Sequence, residues 1–178
     1  MEPYKVLAIC GSLRTASINR ALLQAAIRLS PATMRIVMYQ EIGLLPLFNP
    51  DLEHCVPTEV VSLRTQVAQS QALLIASPEY AHGVTGVIKN ALDWLVSFEA
   101  FANKPVAILN ASPRAHHADG ALREILKTMS ANLVETASIT IPLLGSNFTE
   151  VEIASHPTIS PLIISALLEL QASTSRRI

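Results

Sequence analysis

Short apolar runs recur along this chain, each bounded by turn residues and followed by a stretch of helical spacing. That alternation limits the fold more than any other feature. Residues 6–10, 72–76 and 106–109 are uninterrupted apolar segments with the length and content of strands covered on both faces. Residues 34–39 read as a further strand, and Arg35 near its start marks an edge position. Residues 136–141 alternate polar and apolar, as a half-exposed edge strand does. Between the runs, apolar residues recur at helical spacing: Ile18, Leu22, Ala25 and Leu29, then Val60, Leu63 and Val67, then Val84, Ile88, Ala91 and Leu95. Leu122, Ile125, Leu126 and Met129 continue the pattern, and Ile159, Ile163, Ala166 and Leu170 close it. Five alternations predict a three-layer α/β fold, an open parallel five-stranded sheet with helices on both faces, in one domain over 1–178. With the second and fifth strands at the edges, the strand order is 2-1-3-4-5. Ligands then bind beyond the carboxyl ends of the strands, where strands 1 and 3 flank the switch point.

The loops at that edge are the polar ones. Residues 11–20 gather Ser12, Arg14, Ser17, Asn19 and Arg20 between the first strand and the first helix. A helix start leaves backbone N–H groups unpaired and carries partial positive charge, so added hydroxyls and guanidinium groups suit a phosphate dianion. Capping by Ser17 alone explains one of those residues and leaves the others. With a single Gly11 the loop is neither a P-loop nor a three-glycine dinucleotide loop, which favours a mononucleotide cofactor. Residues 77–86 and 110–120 form two further loops rich in turn residues. Residues 41–53 are long, carry two prolines and hold Leu44, Leu45, Leu47 and Phe48. Either they fold back on the core, or they pack against a partner subunit or a ligand.

Composition excludes several classes. A net charge of −1 offers no basic stripe for nucleic acid. The two cysteines, Cys10 and Cys55, lack C-x-x-C spacing, and a disulfide is not expected. No signal peptide or membrane-length apolar run is visible, so the chain reads as soluble and cytoplasmic, with no membrane partner. No metal-ligand spacing surrounds His116 and His117, which read first as surface histidines and next as part of a substrate mouth. Ser112 lacks the setting of a hydrolase nucleophile.

Gly11-Ser12-Leu13-Arg14 with Ser17 and Asn19, followed by the run from Pro78-Glu79-Tyr80-Ala81-His82-Gly83 to Asp93-Trp94, resembles the NAD(P)H-dependent FMN reductase family of flavodoxin-like proteins. The resemblance implies that Ser12, Arg14, Ser17, Asn19 and the adjacent Arg20 hold the FMN phosphate. It implies that Pro78, Glu79, Tyr80 and Gly83 line the isoalloxazine ring, largely through backbone groups, with His82 close by. Ser112 and Arg114 would close the other side. NADPH or NADH would be the co-substrate, and the electron acceptor a small molecule: a quinone, a free flavin, an azo compound or a metal oxyanion. No protein side chain is expected to be catalytic, because the cofactor carries the chemistry. A homodimer or homotetramer is implied as well. The chain departs from the family pattern in three places. Ala81 stands where many relatives have asparagine and Thr85 where many have proline, while Arg114, His116 and His117 replace a glycine-rich stretch. The alternative is a flavodoxin-like electron carrier or a non-catalytic FMN-binding regulator.

Overall fold

The computed structural model describes residues 2–175. β1 (Tyr4–Cys10), β2 (Met34–Met38), β3 (Ala72–Ala76) and β4 (Pro105–Asn110) are joined by α1 (Ile18–Arg28), α2 (Thr58–Gln69) and α3 (Gly86–Asp93). Then follow α4 (His116–Thr128), β5 (Asn132–Leu133), β6 (Ile139–Thr140), α5 (Glu150–Ser155) and α6 (Ile159–Ser175). The sheet runs β2-β1-β3-β4-β5 with every pairing parallel, as the sequence predicts.

Period-two alternation sends successive residues of β1 into two cores. Val6 and Ala8 share one core with residues of α1 and α6, and Leu7 and Ile9 share the other with residues of α2, α3 and α4. Each fully buried aliphatic side chain contributes about 1.5–3 kcal/mol of transfer free energy, so this double burial fixes strand register firmly.

Several boundaries differ from the sequence reading. The second strand ends at Met38 rather than residue 39. The loop expected over 110–120 stops at Ala115, so His116 and His117 lie in the first turn of α4. The fifth strand, expected over 136–141, is two short pieces along β4, and Glu135–Ala137 between them is a 3-10 turn. Ser138 explains the break. Its hydroxyl accepts from the Ile108 N–H at 3.1 Å and donates to the Val134 carbonyl at 3.0 Å, standing in for ladder backbone that has turned away. α5 had no sequence signal beyond Thr149 and Glu152, which form a reciprocal capping box.

Residues 41–49 divide between the two alternatives. Ile42 and Leu45 are buried and Phe48 meets Trp94 edge-on at 5.0 Å, while Leu44 and Leu47 remain 68% and 84% exposed. The segment is tied down by α3 and the residue after it. The Asn90 side chain accepts from the Phe48 N–H at 2.8 Å and donates to the Pro46 carbonyl at 2.9 Å, which also accepts from Trp94 Nε1 at 2.8 Å.

Candidate functional site

At the carboxyl end of β1, the Gly11 N–H donates to the Ala76 carbonyl at 2.8 Å. This draws the β1–α1 loop against the loop after β3. A Cβ on Gly11 would lie 2.1 Å from Ser77 Oγ and 2.7 Å from Ile88 Cγ1, so only glycine permits the approach. Beyond it the loop is organised by its own hydroxyls. Ser12 Oγ accepts from the Arg14 N–H, and Ser17 caps α1 by accepting from the Arg20 N–H, both at 3.4 Å. Ser12, Ser17 and Asn19 are buried and Arg14 is exposed. Asn19 Oδ1 is buried without a hydrogen-bond partner among the described residues. A buried orphan acceptor at a cleft wall is costly unless a ligand supplies the donor. Under the loop, burial pushes the Cys10 thiol up, which suits a structural role rather than a reactive one.

The loop after β3 is built differently. Tyr80 and Gly83 exchange two backbone hydrogen bonds, Tyr80 N–H to Gly83 carbonyl at 3.2 Å and the reverse at 3.0 Å. Between them Ala81 and His82 have φ of 49° and 56°. Two positive-φ residues inside a two-residue hairpin make a type I′ turn, which favours asparagine or glycine. Thr85 ends the loop as the N-cap of α3, accepting from the Ile88 N–H, and its hydroxyl lies 3.4 Å from that of Ser77. A proline could make neither contact.

Glu79 turns its carboxylate to α4, where Oε2 accepts from the Ala118 N–H at 2.8 Å. Ala115, the N-cap of α4, offers no side-chain bond, so Glu79 caps that helix from another loop. That N–H, helped by the imidazoles of His117 and His82, holds the Glu79 carboxyl below the usual carboxylate range, against weak burial. After β4, Asn110 Oδ1 accepts from the Ser112 N–H at 3.0 Å and Ser112 Oγ from the Arg114 N–H at 3.1 Å.

These loops enclose a cleft of about 700 Å³ at the carboxyl edge of the sheet. Small-molecule sites span roughly 300–1,000 Å³. Ser12, Arg14, Ser17, Asn19, Pro78, Glu79, Tyr80, Ser112 and Arg114 all line it. Arg20, His82 and Gly83 do not. The Arg20 guanidinium donates to Gln40 at 3.4 Å and points along β2, while His82 stacks on α4 outside the cleft. The sequence reading missed the segment after β6, where Leu143, Leu144, Asn147 and Phe148 form another wall. Its signal was available: a loop after an edge strand opens on the same side as the others, and Gly145, Ser146 and Asn147 are turn residues.

The family profile for NADPH-dependent FMN reductases matches residues 4–143. The chain belongs to that family. It is 45% identical over 114 residues to an NAD(P)H-dependent FMN reductase of Pseudomonas aeruginosa, covering 62% of this chain and 61% of the relative. It is 35% identical over 132 residues to a quinone reductase of Pseudomonas putida, covering 72% and 70%. Among solved structures, FerB from Paracoccus denitrificans, described as a flavoenzyme NAD(P)H:(acceptor) oxidoreductase, superposes with a TM-score of 0.78 at 24% identity, covering 94% of this chain and 96% of that one. That last likeness speaks for the fold.

Proposed function

We propose that this protein is an FMN-dependent oxidoreductase that oxidises NAD(P)H and passes the electrons to a small acceptor of the quinone class. The carrying observation is the hydroxyl- and guanidinium-bearing start of α1 opening into a cleft at the switch point of the sheet. The residues fit the group. The N–H groups that open α1 and the Ser12, Ser17 and Arg14 side chains suit its phosphate, and the orphaned Asn19 Oδ1 suits a hydroxyl of its chain. When bound, FMN supplies a ring that takes up hydride, so no protein nucleophile or general acid is needed. The protein's part is to orient the ring between Pro78–Tyr80 and Ser112–Arg114 and to leave one face open. Arg114 lies exposed on the cleft wall, where a second phosphorylated ligand can reach it.

The reading also has the chain act in the cytoplasm as a homo-oligomer in which Leu44 and Leu47 are covered by another subunit. Among the described residues no helix is long and apolar enough to cross a membrane, and Cys10 and Cys55 are free thiols. Anaerobic titration of the FMN-loaded protein with NADPH and then NADH tests the activity. Bleaching of the flavin band, restored by a quinone, supports it. Retained FMN that neither nucleotide reduces favours an electron carrier instead.

A further inference from the structure

We propose that His117, at the start of α4, is a positioning residue for the flavin site, acting through His82 to hold the 80–83 turn in shape. The inference rests on the flavin reading above. Glu79 and Tyr80 form part of the cleft wall, and their backbone course is set by the hairpin that follows them. That hairpin needs left-handed backbone at both central positions, and the sequence puts Ala81 and His82 there. Alanine at 81 offers none of the local stabilisation that asparagine or glycine brings to such a turn, so the conformation draws support from outside it.

The holding contacts all come from the first turn of α4. The His117 ring lies 4.3 Å from the His82 ring with planes 22° apart, a stacked pair, and His116 backs His117 at 4.1 Å and 38°. One residue further on, the Ala118 N–H is capped by Glu79 from the other end of the same turn. The turn is therefore gripped at two points, by a carboxylate before it and an imidazole within it. α4 starts directly after residues 112–114, which form the facing wall of the cleft. The grip thus sets the spacing between the two walls that would flank the ring. The imidazoles stack instead of converging, and no group of three or more His, Cys, Asp and Glu among the described residues could hold a metal ion. These histidines act by packing.

Four proteins test this: wild type, His117→Ala, His117→Phe and His117→Ala with Ala81→Asn. Amide exchange at Tyr80 and Gly83, followed without added flavin, reads the turn itself. FMN affinity, from quenching of flavin fluorescence, reads the site. In His117→Ala exchange at both amides accelerates and FMN binds about tenfold more weakly. Phenylalanine, which keeps the stack without ring nitrogens, restores both, and so does Ala81→Asn, which stabilises the turn locally. Unchanged exchange in His117→Ala overturns the proposal, as does accelerated exchange with undiminished FMN affinity. Failure of phenylalanine to restore either quantity overturns the stacking role. A wild-type protein that takes up no FMN overturns the flavin reading itself, and is distinguished because it is seen before any substitution.

Discussion

The loops after β1 and β3 face each other across the cleft and are stabilised in opposite ways. The first is held by its own sequence: Ser12 and Ser17 bond backbone N–H groups two and three residues on, and Gly11 lets it lie close to its neighbour. The second closes on its own Tyr80–Gly83 backbone bonds but is braced by another part of the fold, through Glu79 on Ala118 and His82 on His117, and Ala81 at positive φ works against it. A loop built locally keeps its form in the absence of ligand. A loop braced from a distance can be tuned by changing the brace, without touching the residues that line the cleft.

The strongest way to break this contrast is Gly11→Ala. With Ser77 Oγ 2.1 Å from the new Cβ, it destabilises the fold by about 3 kcal/mol or more, read as a lower denaturant midpoint. Next comes Arg14→Ala, which removes one charged partner from the first loop. FMN affinity falls about ten- to a hundredfold while thermal stability without flavin is unchanged, and an unaltered affinity sinks the phosphate assignment. Thr85→Ala removes the α3 cap and the contact with Ser77 for about 1 kcal/mol, a melting temperature lower by ~2–4 °C. In the wild-type background Ala81→Asn sharpens the contrast in the other direction, raising stability by about 0.5 kcal/mol.

The smallest effect is one of pH. The folded Glu79 carboxyl lies below its ordinary range, so its contribution is present above the unfolded carboxylate pKa. It is lost as pH falls through the depressed folded value. Protection of the Tyr80 and Gly83 amides, taken relative to their intrinsic exchange rates, is therefore flat near neutrality and falls only in acid, and Glu79→Gln removes that acid limb.

The sheet order and the resemblance to FMN reductases were legible in the sequence, and both are borne out by the topology and the family match. Residues 6–10, 72–76 and 106–109 could be read because strands buried on both faces carry unbroken apolar runs. The fifth strand could not. Ser138 bonds where backbone would, and a 3-10 turn imitates the alternation of an edge strand. Nine of the twelve candidate cleft residues line one wall or another, because turn chemistry and strand ends are local signals. Arg20 and His82 lie outside for tertiary reasons: each side chain found partners on a different element, Gln40 after β2 and His117 on α4. The later part of the motif has a separate use, since Asn90 and Trp94 fasten residues 45–48 to α3.

Trp94 gives this protein an internal lamp. It is the sole tryptophan, fully enclosed, with its indole N–H on the Pro46 carbonyl and Phe48 against its ring. Its emission belongs to one known place and is blue-shifted while that place stays dry. Release of residues 41–49 would redden it, whereas a flavin binding in the cleft, as proposed, would dim it by energy transfer and leave its colour alone. One cuvette can thus distinguish an event at the apolar loop from an event at the cleft, with no label attached.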